Sequence, residues 1–157
     1  YMMVHPGKKL NFMGNELGHF REWDERREQD WLLREFPIHD AFYHYIAELN
    51  RIYLTHPALY RLDYHPDGFT WMDRSREKAC LFILQRQCAE ERLVLLFNLG
   101  DQARQYQLPA PTGVELLLHT DWQRFGGHTP EKQPYTPVGG MLTVCLPPYS
   151  GMLLCMK

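Results

Sequence analysis

Apolar side chains recur at spacings of three and four residues over the stretch 38–53. They are Ile38, Phe42, Tyr45, Ile46, Leu49, Ile52 and Tyr53. This spacing places them on one face of an amphipathic helix. Pro37 suits a first helical turn, whose N–H groups have no helical partner, and the His56-Pro57 pair is expected to end the helix. A single apolar face indicates that the helix lies against a larger body.

The segment before this helix has a different character. Within the segment Lys9–Gly14, the apolar residues Leu10, Phe12 and Met13 predict a short buried strand closed by a glycine. The stretch from Arg21 to Glu35 then mixes both charge signs with Trp23 and Trp31. Mixed signs favour a solvated, locally paired surface over a binding patch. The predicted order is therefore strand, polar loop, helix.

From residue 61 onward, short apolar runs alternate with turn residues. Seven strands are predicted near Gly68–Asp73, Ala79–Arg86, Arg92–Leu99, Ala103–Leu108, Val114–His119, Met141–Leu146 and Met152–Met156. Short strands at this spacing predict an antiparallel β-sandwich, so the fold class is mainly β. The continuous apolar run Leu93–Phe97 is typical of a central strand covered on both faces. The alternation from Arg104 to Leu108 is typical of a strand nearer an edge.

Composition narrows the function classes. The 157 residues carry 17 Lys+Arg and 19 Asp+Glu, a formal net charge of −2, which argues against a nucleic-acid binder that relies on bulk positive charge. No apolar run is long enough to cross a membrane. The chain is shorter than the roughly 250 residues of a complete (β/α)8 barrel. It begins with Tyr1 rather than Met, which hints at a piece of a longer protein.

Cysteine and histidine spacing gives no metal or cofactor signal. The four cysteines form no C-x-x-C pair, so reduced thiols are expected. Cys145 and Cys155 flank the last turn, where a hairpin would bring them face to face. His39 and His44 stand five apart on the predicted helix, whereas zinc pairs on one helix face need spacings of three or four. We therefore expect no metal and no cofactor.

Several motifs resemble those of bacterial 1,4-α-glucan (glycogen) branching enzymes of the α-amylase superfamily. The most specific is the run HPGKKLNFMGNELGHFREW from His5 to Trp23. The others are Asp30-Trp31-Leu32-Leu33, Pro57-Ala58-Leu59, Leu62-Asp63, Gly68-Phe69-Thr70-Trp71, Phe97-Asn98, Thr120-Asp121, Phe125-Gly126-Gly127 and Leu146-Pro147-Pro148. The resemblance covers essentially the whole chain. Its first 60 residues are specific to branching enzymes, whereas the β half is common to α-amylase relatives.

The resemblance implies a division of the chain. Residues 1–60 would be the C-terminal end of a catalytic (β/α)8 barrel, comprising its last strand, a loop and its last helix. Residues 61–157 would be the C-terminal all-β sandwich domain. The isolated barrel end would expose apolar surface, so we expect self-association through residues 1–60, or disorder there.

The resemblance also implies an activity for the parent enzyme. Such an enzyme cleaves an α-1,4-glucan and transfers the segment to a 6-hydroxyl, forming α-1,6 branches in glycogen synthesis in the cytoplasm. The reaction is a retaining double displacement that uses two carboxylates. The family draws these from earlier barrel strands, so we expect no catalytic residue here and no activity from the chain alone. The partner would be an α-glucan, with no nucleic acid or membrane involved.

Candidate glucan-contacting residues follow the predicted last barrel strand. The C-terminal ends of barrel strands and their loops carry the active site in this architecture. We therefore expect Asn15, Glu16, Arg21, Glu22 and Trp23 to line a glucan groove. The alternative for the charged residues is that Glu16 and Arg21 pair internally to hold the loop. Trp31 is expected to be a packing anchor.

Trp122 is a weaker candidate for a sugar contact, because it precedes a glycine-rich loop. Its alternative is a place in the sandwich core or at its edge. Two other functions stay open at this point. One is a non-catalytic glucan-binding or structural β-sandwich module, and the other is the C-terminal part of a related debranching or trehalose-releasing enzyme.

Overall fold

The structure is a computed structural model that describes residues 1–73, 75, 77–132 and 134–157. The described residues form one α-helix, α1 (Pro37–Thr55), and seven strands. The strands are β1 (Phe69–Asp73), β2 (Leu81–Gln87), β3 (Arg92–Asn98), β4 (Arg104–Pro109), β5 (Val114–His119), β6 (Met141–Leu146) and β7 (Ser150–Met156). The helix and all seven strands lie where the hydrophobic pattern predicts them. Pro37 begins α1 and the residue before Pro57 follows its end.

The strands form two antiparallel sheets. The larger sheet has the order β1-β2-β3-β7-β5, and the smaller pairs β4 with β6. The sandwich prediction is therefore confirmed. The expected hairpin between Cys145 and Cys155 is wrong, because β6 and β7 belong to different sheets. All four thiols are free.

The central strand β3 is buried on both faces, as its continuous apolar run predicts. Val94 and Leu96 face β4 and β6 in one core cluster, whereas Leu93 and Leu95 join a second cluster with Ile52 of α1. This alternation follows from the two-residue period of a strand. The molecule thus has three layers: the small sheet, the large sheet, and α1 with its flanking segments.

Only part of the apolar face of α1 is covered by this sheet. Ile52 is buried, and Tyr45 and Leu49 pack against the second core cluster. Near the start of the helix, Ile38 is 61% exposed and Phe42 is 36% exposed. The apolar stripe predicted from the sequence is real, but its N-terminal end faces solvent.

The strand predicted at Lys9–Gly14 is wrong. No strand is assigned among residues 1–60, and residues 8–12 are irregular before a turn at Met13 and Gly14. Leu10 is 69% exposed. A strand needs a hydrogen-bonded neighbour, and no strand lies beside this segment in the part of the chain that the structure describes. The (β/α)8 barrel is accordingly not visible, and the division at residue 60 stays a prediction.

Arg86 on β2 fastens the N-terminal layer to the sheet. Its fully buried guanidinium donates hydrogen bonds to the carbonyl oxygens of Val4, Leu59 and Gly68 at 2.7, 3.1 and 3.0 Å. A fourth bond, from Nη2 to a carboxylate oxygen of Asp63, measures 2.5 Å. One side chain therefore joins the N-terminus, the segment after α1 and the start of β1.

No helix among the described residues combines the length and the apolar character needed to cross a membrane.

Candidate functional site

The segment after the predicted barrel strand folds as a tight turn between two glycines. Asn15–Leu17 form a single 3-10 turn flanked by Gly14 and Gly18, whose φ angles are +84° and +62°. Both glycines adopt the left-handed backbone region that other residues enter at a cost. The turn is held from α1, because the His39 Nδ1–H donates to the Leu17 carbonyl oxygen at 2.7 Å. Leu17 itself is buried.

A clamp between Arg21 and Asp30 closes the polar loop. Arg21 donates from Nε and Nη2 to the two carboxylate oxygens of Asp30 at 2.8 and 3.2 Å, and from Nη2 to the Glu28 carbonyl oxygen at 2.9 Å. The hydrogen bond from Arg21 lowers the pKa of Asp30, so the carboxylate stays ionised. The Asp30 backbone N–H donates to His19 Nε2 at 3.2 Å. Arg21 thus pairs within the loop with Asp30, and not with Glu16 as the alternative named it.

These elements surround an open cleft of about 590 Å³ between the loop and α1. Four of the five predicted groove residues line it: Asn15, Arg21, Glu22 and Trp23. The fifth, Glu16, is not among the lining residues, and it accepts a hydrogen bond from Asn11 Nδ2 at 3.2 Å. That these residues contact glucan stays a prediction.

Trp23 is the aromatic wall of this cleft. Its side chain is 51% exposed, and its ring meets that of Phe12 edge-on at a centroid distance of 5.4 Å. An aromatic face beside amide, carboxylate and guanidinium groups can hold a sugar, by stacking on its apolar face and by hydrogen bonds to its hydroxyls. Among the described residues, no group of His, Cys, Asp and Glu is arranged to hold a metal ion.

The other tryptophans occupy different environments. Trp31, expected to be a packing anchor, is 50% exposed and lies outside this cleft. Trp122 is 6% exposed and belongs to the core cluster beneath α1. This position matches the alternative of a place in the core, because the Trp122 ring is packed against Phe125 and covered by the Arg124 guanidinium. A buried face cannot serve as a platform for sugar.

Sequence reasoning missed several residues that shape the cleft. His19 accepts from Asp30 and stands so close to Gly14 that a Cβ there would meet its ring at 2.3 Å. Phe12 supports Trp23, and Phe42 and Ile46 of α1 form the opposite wall. Phe42 and Ile46 belong to the predicted apolar stripe of α1, which was the available signal, but the sequence does not show which part of the stripe the sheet leaves uncovered.

Three known proteins that are similar to this chain in sequence are branching enzymes. The 1,4-alpha-glucan branching enzyme GlgB of Oceanobacillus iheyensis is 38% identical over 81% of this chain and 21% of its own length. The GlgB of Oleidesulfovibrio alaskensis is 42% identical over 81% of this chain and 20% of its own length. That of Nitratidesulfovibrio vulgaris is 35% identical over 97% of this chain and 26% of its own length. The chain thus spans between a fifth and about a quarter of these relatives. No family model matches it.

Solved structures show the same fold. An α-amylase from H. orenii superposes with a TM-score of 0.69 at 13% identity, over 99% of this chain and 33% of the amylase. An isomaltulose synthase from Klebsiella sp. LX3 superposes with a TM-score of 0.51 at 16% identity, over 74% of this chain and 18% of that enzyme. At these identities the likeness shows the fold alone. The sequence relatives, by themselves, show that the chain belongs to the 1,4-α-glucan branching enzyme family, where it matches a C-terminal region.

Proposed function

We propose that this chain is the C-terminal part of an enzyme that cleaves α-1,4-glucan and transfers the segment to a glucan 6-hydroxyl. The observation that carries the proposal is the 35% identity to a branching enzyme over 97% of the chain. In this reaction one carboxylate forms a covalent glycosyl intermediate and another acts first as acid and then as base. The sugar hydroxyl takes the place of water as acceptor.

The catalytic carboxylates belong, on this proposal, to barrel strands that precede these residues. The 157 residues should then have no branching activity by themselves. The test is to incubate amylose with the purified chain and follow the fall in iodine-complex absorbance that branching produces. A full-length relative, such as the enzyme of Oceanobacillus iheyensis, serves as the positive control. Branching by the purified chain would contradict the proposal.

The cleft around Trp23 is proposed as the glucan contact that this region contributes. Trp23 would stack on a sugar ring, while Asn15 and Glu22 would bind hydroxyl groups. Arg21 would mainly hold the loop in shape, because its guanidinium already donates to Asp30 and to the Glu28 carbonyl oxygen. Glu16 would hold Asn11 at the rim.

Affinity electrophoresis in amylopectin gels tests this contact with a matched pair of variants. Trp23 and Trp31 are 51% and 50% exposed, but only Trp23 lines the cleft. Trp23→Ala should therefore reduce retardation by amylopectin, whereas Trp31→Ala should leave it unchanged. Equal effects of the two substitutions would reject the cleft as the contact.

Cytoplasmic location and self-association belong to the same proposal. Large apolar side chains with exposures from 36% to 90% are concentrated in residues 10–42, namely Leu10, Phe12, Phe20, Trp23, Trp31, Leu32, Phe36, Ile38 and Phe42. Removing such a surface from water favours association of the separate chain. Light scattering should show a mass above 18.7 kDa that falls on dilution. Strict monomers at high concentration would argue against self-association, and fractionation of cells would test the location.

A further inference from the structure

A second polar cleft lies between α1 and the single turn Gln123–Phe125. It has a volume of about 440 Å³, and its lining residues are His44, Ala47, Glu48, Arg51, Arg124 and Phe125. The helical residues at 44, 48 and 51 are spaced by four and three, so they share one face of α1. None of these residues lines the cleft around Trp23. The two clefts are therefore built from different side chains.

Two aromatic rings and two long ion pairs hold Arg124 in place among the described residues. Its guanidinium carbon lies 4.6 Å from the ring centroids of both Trp122 and Phe125, a cation–π arrangement. Glu48 and Glu131 are its ion-pair partners, at 3.8 and 3.5 Å. These distances exceed the 2.7–3.2 Å typical of N–H···O hydrogen bonds. The guanidinium thus presents oriented N–H groups that can still donate strongly.

Glu48 supplies the matching acceptor. Arg51 donates to both of its carboxylate oxygens, at 2.9 and 2.7 Å, and this hydrogen bonding lowers the pKa of Glu48. The carboxylate is therefore ionised and fixed, and each oxygen keeps a further lone pair for a hydroxyl donor. Ala47, the residue before Glu48 on α1, is exposed and lines the same cleft.

The charges around this cleft balance, since Glu48 and Glu131 face Arg51 and Arg124. A phosphate or carboxylate ligand would gain from the arginines but be repelled by the two carboxylates. A neutral molecule with neighbouring hydroxyl groups can instead donate to Glu48 and accept from Arg124. The edge of Phe125 offers an apolar contact beside them.

We propose that this cleft is a second binding site for a neutral α-glucan segment, separate from the contact at Trp23. The sugar class rests on the proposed function, whereas the site itself rests on the geometry of Glu48, Arg51 and Arg124. A branched or long glucan could then contact the chain at two places on its surface.

The experiment blocks the cleft by size and leaves its ion pairs intact. Ala47→Trp places a large side chain at an exposed position that lines the cleft. Asn50→Trp adds the same bulk at an exposed position of α1 outside the cleft. Both are made in a Trp23→Ala background, where this cleft would carry the remaining affinity, and retardation is measured in amylopectin gels. Ala47→Trp should weaken binding about tenfold, comparable to losing one hydrogen bond to a charged group. Asn50→Trp should have no effect.

Equal retardation of the two tryptophan variants would overturn the second site, whatever Trp23→Ala does alone. Lack of retardation for the unsubstituted chain would also overturn it. The enzymatic proposal is judged separately, because it rests on family membership and the iodine assay. Release by free maltoheptaose but not by inorganic phosphate is expected, and release by phosphate would contradict the choice of a neutral ligand.

Discussion

Replacing Arg86 with methionine tests whether one buried cation fastens the N-terminal layer to the large sheet. Methionine keeps the aliphatic stem and much of the volume, but it removes every donor of the guanidinium. The Asp63 carboxylate, whose side chain is 9% exposed, then loses its ion-pair partner. The carbonyl oxygens of Val4, Leu59 and Gly68 lose their charged donor as well.

The structure sets the size of the expected loss. Removing one partner of a buried ion pair costs about 3–5 kcal/mol, because the other charge stays buried without compensation. Each carbonyl left without a donor adds about 1–3 kcal/mol unless water reaches it. These costs overlap, so we expect about 5 kcal/mol for Arg86→Met. A small domain has only about 5–15 kcal/mol in total. The variant should therefore be close to unfolding without denaturant.

Urea unfolding followed by circular dichroism measures this loss. Arg92→Met is the matched control, because Arg92 is an exposed arginine at the start of the neighbouring strand. Its free energy of unfolding should change by less than about 0.5 kcal/mol, as for most surface substitutions. Adding Asp63→Asn to Arg86→Met should recover part of the loss by removing the unpaired charge. An Arg86→Met variant within about 1 kcal/mol of the unsubstituted chain would refute the reasoning.

Three further outcomes are expected. Gly14→Ala should lower the free energy of unfolding by about 2 kcal/mol, because it combines left-handed backbone strain with a clash against neighbouring side chains. The control Gly113→Ala should lower it by only about 1 kcal/mol, because Gly113 has φ +102° but open space around it. Burial lowers the pKa of His119, so the stability of the chain should fall as the pH drops from about 6.5 towards the folded-state pKa. Over that pH range, the urea midpoint of His119→Leu should change less than the midpoint of the unsubstituted chain. Cys145 is exposed, whereas burial raises the pKa of the Cys155 thiol. Mass spectrometry should therefore find Cys145 labelled first, and labelling that requires prior reduction would contradict the free thiols.

Local patterning was enough to predict α1 and the seven strands. Their hydrophobic periods differ clearly, and proline or glycine marks their ends. The run Leu93–Phe97 even indicated a strand covered on both faces. The pairing of the strands was harder to predict, because the assignment of β6 and β7 to different sheets depends on contacts between residues that are distant in the sequence. That is why Cys145 and Cys155 were wrongly expected to face each other.

Arg86 shows a signal that the sequence contained but that strand prediction alone did not use. In β2 it shares a face with Leu84, which is fully buried. A charged residue on the buried face of a strand needs a partner, because an unpaired buried charge is costly. Nothing local in the sequence indicates that Asp63, among the 19 Asp and Glu residues, is the carboxylate that meets it.

The tryptophans mark the limit for predicting the site. Trp23, Trp31 and Trp122 all lie in polar or glycine-rich contexts, yet Trp122 is buried and the other two are half exposed. Their environments are decided by tertiary packing: Trp122 fits under α1, while Trp23 rests on Phe12 at the edge of a cleft. Residue type and local context therefore picked out four residues that share one cleft, whose contact with glucan stays a prediction, but they did not show that Trp31 is exposed and Trp122 buried.

The partly covered face of α1 adds a physical argument for the family assignment. The apolar stripe runs along the whole helix, but the sheet covers only the part near Leu49 and Ile52, leaving Ile38 61% exposed and Phe42 36% exposed. A helix gains nothing in water from apolar residues that stay exposed, since burial is what makes them stabilising. The stripe therefore describes a larger contact surface than these 157 residues provide. The body of a barrel enzyme, as proposed above, would supply the missing part of that surface.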